Sequence, residues 1–199
     1  MIYYISDLHF DSERVLREAE RPFETVEEMN DVLIRNWNSV VMDEDIVYVI
    51  GDIGQHDHPI PTQLGLLKGH KHLIRGNHDT GLNHQETLFQ YFETVSDFYE
   101  LDDGDTHILL SHYPMVYRQR GYMIHGHIHR TKPDLFNLLK GLDRVLNASA
   151  DINGFTPCTL QSLVENNCRF YQRPLPYPSY SSNKKKKWKA VFKPLPQKK

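Results

Sequence analysis

An α/β fold is predicted by three features of this 199-residue chain. Residues 1–5 and the run Ile46-Val47-Tyr48-Val49-Ile50 are short, apolar and rich in β-formers, and each passes directly into a polar turn carrying aspartate. Buried parallel strands that end at a site have this pattern, which places any chemistry at strand C-termini. Between the two runs the periodicity changes to helical: Met29, Leu33, Trp37 and Val40 recur at three- and four-residue spacing behind a capping box formed by Thr25 and Glu28. Residues 70–74 then repeat the strand-and-turn pattern, leading into Arg75-Gly76-Asn77-His78-Asp79.

Taken in order, the elements expected are a strand over 1–5, a helix over 26–41 and a strand over 46–50. A helix over 62–67 stops near Gly69, and the strand 70–74 follows. Strands are expected at 98–101, 106–110, 122–125 and 144–148, and helices at 84–92 and 159–165. No fixed-period repeat is visible, which excludes a solenoid or propeller.

Length favours one globular domain, placed at residues 1–173. Residues 174–199 form a Pro/Lys-rich tail that contains eight lysines and no acidic residue, leaving 15 Lys+Arg against 26 Asp+Glu in residues 1–173, a net of −11. Such an acidic body repels nucleic acid except where metals or local arginines reverse the field, and Lys184–Lys187 is the one basic cluster that could meet phosphates without sequence preference. Cys158 and Cys168 have no metal-binding spacing and cannot staple a domain of this size, so they read as ordinary thiols of a reducing compartment. The N-terminal residues show no signal-peptide pattern and no apolar run reaches ~18 residues, so a cytoplasmic location is expected.

Twelve histidines are many for this length, and six of them, His9, His78, His112, His125, His127 and His129, fall in polar turns at predicted strand ends. The turns read Asp7-Leu8-His9, Gly51-Asp52, Gly76-Asn77-His78-Asp79, Ser111-His112 and Gly126-His127-Ile128-His129. Alone, the alternating pair His127 and His129 is more often the half-exposed face of a strand. No core-packing requirement puts Asp, His, Asn and His at successive strand ends, whereas a pair of divalent cations needs this mixture of oxygen and imidazole ligands, with one carboxylate, naturally Asp52, as bridge. His56, His58 and His125 are left outside the site, and His70, His72, His84 and His107 read as structural or exposed. Gly51, Gly76 and Gly126 are expected to let the backbone turn sharply where each strand presents its ligands.

From Ile2 to about Phe155 these five turns, in this order, resemble the calcineurin-like metallophosphoesterases, in particular small, compact ones with an Ile-Ser-Asp-Leu-His-Phe opening and a segment like Arg21-Pro22-Phe23. The resemblance implies a four-layer α/β/β/α sandwich of two mixed sheets flanked by helices. It implies two divalent metal ions (Mn, Fe or Zn), one held by Asp7, His9, Asp52 and His129 and the other by Asp52, Asn77, His112 and His127. The implied reaction is hydrolysis of a phosphate mono- or diester by a metal-bridging hydroxide, with His78 as general acid or transition-state stabiliser and Asp79 orienting the His78 ring. Arg21, Arg75, Arg118 and Arg120 are candidates for gripping the substrate phosphate, because a guanidinium offers two parallel donors. The expected substrate is a small nucleotide or generic phosphoester. The alternatives are a nuclease or cyclic-nucleotide phosphodiesterase, and a non-catalytic scaffold of the same fold.

Overall fold

The computed structural model describes residues 1–116, 120–130 and 133–175, so the tail assigned to 174–199 lies almost wholly outside the described residues. In order, the regular elements are β1 (Ile2–Ile5), α1 (Glu13–Glu18), α2 (Val26–Val40), β2 (Ile46–Val49), β3 (His70–Ile74), β4 (Thr94–Ser96), β5 (Phe98–Asp103), β6 (Thr106–Ser111), β7 (Tyr122–His125), α3 (Pro133–Lys140), β8 (Val145–Asn147) and α4 (Leu160–Phe170). They form two four-stranded sheets, β1-β2-β3-β4 and β5-β6-β7-β8. Every pairing in the first sheet is parallel, so it is not mixed as expected; in the second, β5 runs antiparallel to β6 and the rest is parallel.

The layers follow from alternation along the strands. Tyr3, Ile5, Val47, Val49 and Leu73 point to one face of the first sheet, where they pack with Leu16 of α1 and Met29, Leu33 and Trp37 of α2. Tyr4, Tyr48 and Ile74 point to the other face and meet Ile108, Leu110, Ile124 and Leu146 of the second sheet. Met123 and Val145 face outward beneath Leu139 of α3 and Tyr171. Each large side chain so buried contributes about 1.5–3 kcal/mol. Helix α2 starts at Thr25, whose hydroxyl accepts from Glu28 N at 3.1 Å, while the Glu28 carboxylate accepts from Glu24 N at 2.8 Å. The capping box thus reaches one residue further back than the usual reciprocal pair.

Two expected helices are single 3₁₀ stretches, Thr62–Leu66 and Gln85–Gln90. The first is bounded by Pro61 and contains Gly65, and the second begins at His84 in left-handed backbone, φ 61°. Both are the short, tighter 3₁₀ turns common in connecting segments.

The feature that places the site is the join between the sheets. Ser6 N donates to Ala148 O (3.0 Å) and Ala150 N to Ser6 O (3.0 Å), and Tyr4 and Cys158 exchange both backbone bonds. The C-terminal ends of β1 and β8 therefore lie side by side, and the turns following β1, β2, β3, β6 and β7 share one rim. Among the described residues no helix is long and apolar enough to cross a membrane. Both cysteines are free and buried, and burial raises the Cys158 thiol to about 11. Native protein is expected to react with a disulfide reagent such as DTNB slowly or not at all, with two thiols per chain appearing on denaturation; two fast thiols before unfolding would contradict this packing.

Candidate metal centre

The rim residues adopt a backbone that ordinary packing avoids. Asp7 (φ 56°), His9 (50°), Asp52 (59°), His127 (73°) and His129 (42°) all lie in the left-handed region. Each such residue costs of order 1–3 kcal/mol unless its surroundings impose it. The imposing contacts are short: Asp7 N donates to Gly51 O at 2.9 Å, His9 N to Asp52 O at 3.0 Å, and His127 N to both Asp7 carboxylate oxygens at 2.9 and 3.1 Å.

Three glycines sit here for two different reasons. Only Gly51 has positive φ, +83°. A Cβ on Gly76 would lie 2.2 Å from Asp52 Oδ1, and one on Gly126 2.7 Å from Asp7 Oδ2. At those two positions glycine makes room for a carboxylate, and the sharp turn expected from sequence is needed only at Gly51.

The side chains converge in overlapping groups. Asp7, His9 and His129 each bring a potential ligand atom within 4.8 Å of the others, as do Asp52, His112 and His127, and also His9, Asp52 and His78. Asp52 Oδ2 is 3.6 Å from His9 Nε2 and 3.3 Å from His112 Nε2, so one oxygen faces both halves. Asn77 Oδ1 completes the second half, 3.1 Å from His112 Nε2 and 3.0 Å from His127 Nδ1.

Acceptor-only partners assign the tautomers. Nδ1 of His9 meets Gly54 O (3.2 Å), that of His112 meets Ile50 O (2.9 Å), and that of His129 meets an Asp151 oxygen (2.8 Å). Each Nδ1 therefore carries the hydrogen and each Nε2 turns a lone pair inward. His9 Nε2 is buried with no hydrogen-bond partner among the described residues. At His112 a lone pair would face the oxygens of Asp52 and Asn77, acceptor against acceptor. A proton or a metal cation resolves that conflict, and the donor set of imidazole, carboxylate and amide oxygen suits first-row divalent ions.

The charges agree. Burial alone would lower the His112 ring, but the Asp52 hydrogen bond and the Asp7 and Asp52 charges push it up to about 9. Asp52 is likewise opposed by burial yet held well below the ordinary carboxylate range by His112 and His9. Burial raises Asp7 against the pull of His129 and His112, and burial lowers His9 well below the usual histidine value.

The residues expected to support the site take the following partners. Asp79 is fully buried and accepts from the backbone N–H groups of Asp52 (2.8 Å), Ile53 (2.8 Å) and Gly76 (2.7 Å). It ties two ligand turns together, while the His78 ring takes its contact at Nδ1 from His56 N at 3.3 Å. Arg21 is buried too, bound to Asp151 and to the carbonyls of Asp7 (2.6 Å) and Leu8 (2.8 Å), and has no donor to offer a substrate there. Arg75 makes a two-pronged surface pair with Asp97 at 2.8 and 2.9 Å. Arg120 is exposed, and Arg118 lies outside the described residues. His125 is fully buried, its Nδ1 on Gly126 O at 2.9 Å, and belongs to none of the ligand groups.

Sequence reasoning missed Asp151, Ser149 and Asn147. Ser149 Oγ donates to Asp151 Oδ2 at 2.8 Å, and Asn147 Nδ2 to His129 O at 3.0 Å. The only local signal was an Asp a few residues beyond a weak strand.

No family model matches the chain. Over 167 residues, 82% of this chain and 89% of the relative, it is 33% identical to the uncharacterized protein MJ1445 of Methanocaldococcus jannaschii. The chain belongs to the family of that protein. The crystal structure of AQ665, a protein of unknown function from Aquifex aeolicus, superposes with a TM-score of 0.65 at 25% identity, covering 83% of this chain and 98% of that one. The fold is therefore shared along nearly the whole of the Aquifex protein. The phosphoesterase YfcE of E. coli matches at a TM-score of 0.40 and 12% identity, over 74% of this chain and 77% of that one, too distant to bear on activity.

Proposed function

We propose that this chain is a binuclear metal-dependent phosphoesterase. The observation that carries the reading is the single Asp52 oxygen facing His9 Nε2 at 3.6 Å and His112 Nε2 at 3.3 Å, between two otherwise separate ligand groups. Asp7, His9, Asp52 and His129 would hold one divalent ion, and Asp52, Asn77, His112 and His127 the other. Bound there, such ions hold phosphate oxygens and lower the pKa of a water to neutral range. Manganese, iron and zinc all suit these ligands.

The chain's own groups supply the rest. With only Asp7 and Asp52 anionic in the two ligand sets, two dications leave a net positive site that attracts a phosphoester. His78 stands edge-on to His9, ring centroids 4.9 Å apart, and is about half-buried. Because its Nδ1 accepts from His56 N, the neutral ring carries its hydrogen on Nε2, from which it can donate a hydrogen bond to the charge growing on a departing oxygen. Burial lowers this ring's pKa more than the Asp52 charge raises it, which suits a neutral ring acting as a hydrogen-bond donor. Asp79 fixes the turns on either side of it.

The acidic body favours a small phosphoester, a nucleotide among them, over a long nucleic acid. A cytoplasmic setting agrees with two free, buried thiols. Hydrolysis of p-nitrophenyl phosphate and its bis-ester in Mn²⁺ tests the activity, and a non-catalytic scaffold would cleave neither. His78→Ala is expected to keep metal content and to slow turnover by on the order of 10²–10⁴ on esters with poor leaving groups, and less on p-nitrophenyl esters. Equal losses on both would remove His78 from the leaving-group role.

A further inference from the structure

A buried polar cluster outside the ligand set joins Arg21 to Asp151, 130 residues apart, beneath one half of the centre. Asp151 Oδ1 accepts from Arg21 Nε at 3.0 Å, and Oδ2 from Arg21 Nη2 (3.1 Å), Ser149 Oγ (2.8 Å) and His129 Nδ1 (2.8 Å). Both side chains of the Arg21–Asp151 pair are essentially inaccessible, 0% and 1% exposed. The same guanidinium holds the carbonyls of Asp7 and Leu8. One buried ion pair thus fixes both the turn that presents Asp7 and His9 and the ring of His129.

The two halves of the centre are backed differently. His112 in the second half gives its Nδ1–H to the neutral carbonyl of Ile50, and His9 gives its own to that of Gly54. Among the described residues only His129 of these three rings is backed by a carboxylate. An imidazole whose outer N–H is held by a carboxylate is fixed in one tautomer and is a more basic ligand. Arg21 offsets the Asp151 charge, so this backing adds no uncompensated anion to the interior.

We propose that Asp151, held by Arg21, is a positioning residue that orients His129 and makes the position built by Asp7, His9 and His129 the tighter of the two cation sites. This rests on the metal-binding part of the function proposed above. The test is calorimetric titration of the full chain with Mn²⁺, comparing wild type with Asp151→Asn. The expected result is two unequal affinities in wild type, with the tighter weakened about 10–100-fold in Asp151→Asn and the weaker unchanged. Unchanged affinities at both positions, or equal weakening of both, would overturn it.

Should Asp151→Asn not fold, long-range ¹H–¹⁵N spectra of the wild-type histidines, with and without Zn²⁺, decide instead. His129 is expected to carry its hydrogen on Nδ1 throughout, with only Nε2 shifting on adding zinc; hydrogen on Nε2, or a zinc-dependent shift at Nδ1, would refute the assignment. A wild type that binds no cation would refute the proposed function and the inference together, whereas a failure confined to Asp151→Asn or to the His129 tautomer leaves the former standing.

Discussion

Asp52→Ala is expected to bind at most one divalent metal per chain and to lose hydrolytic turnover by on the order of 10³ or more. Among the described residues Asp52 Oδ2 is the only carboxylate oxygen within reach of both His9 and His112, and its Oδ1 also accepts from His78 N at 2.9 Å. Removing it takes one ligand from each half at once. Metal-based charge stabilisation is worth several kcal/mol, each ~1.4 of which is tenfold in rate. Asp52→Asn, which can still accept from His78 N, should fall between the two. Elemental analysis of the folded variant, checked by circular dichroism, reads the outcome; two metals retained per chain would remove Asp52 from the bridging position.

Arg21→Ala should be among the most destabilising substitutions in the molecule, by about 3–5 kcal/mol, the usual cost of leaving one member of a buried ion pair unpartnered. It takes the buried cation from the Asp151 carboxylate, which keeps only Ser149 and His129, and leaves the carbonyls of Asp7 and Leu8 without their guanidinium donors. At roughly 2–4 °C per kcal/mol for a domain of this size, the thermal midpoint should fall by about 6–20 °C. Burial raises Asp151, but His129 and Arg21 outweigh it and hold the carboxyl well below its ordinary range. A depressed carboxylate contributes stability above its unfolded pKa and loses it as pH falls toward the folded value. The gap between wild type and Arg21→Ala should therefore narrow in acid. A urea titration that gives a loss under about 1 kcal/mol at neutral pH would mean that Arg21 is a surface-like pair, against the burial seen here.

What could be read from sequence, and what could not, divides along physical lines. Helix α2 was legible because its periodicity is strong and locally capped, and strands β3 and β7 because each is a short run that passes directly into a polar turn. The converging turns were legible because Asp, Asn and His at consecutive strand ends serve no packing purpose. Helix α1 was not, since it buries only Val15 and Leu16 and starts from a lone Ser12 cap. The Arg21–Asp151 pair spans 130 residues and has no local signature, so Arg21 read as a free cation when it is a buried tie. Gly76 and Gly126 were visible as glycines, yet the reason for them, the space taken by Asp52 and Asp7, exists only in three dimensions. Asp79 was visible beside His78, but nothing in the sequence showed its oxygens turning to the backbone of the neighbouring turns.

If one rim of the sandwich holds two metals and hydrolyses phosphoesters with them, both properties must appear in one sample. The most direct measurement is metal bound per chain after equilibrium dialysis against Mn²⁺, taken on the same sample as the rate of bis-p-nitrophenyl and mono-p-nitrophenyl phosphate hydrolysis. Two ions per chain, with turnover of at least one ester that vanishes on chelation and returns with metal, is the expected result. A folded protein that binds one ion or none and cleaves neither ester would contradict it.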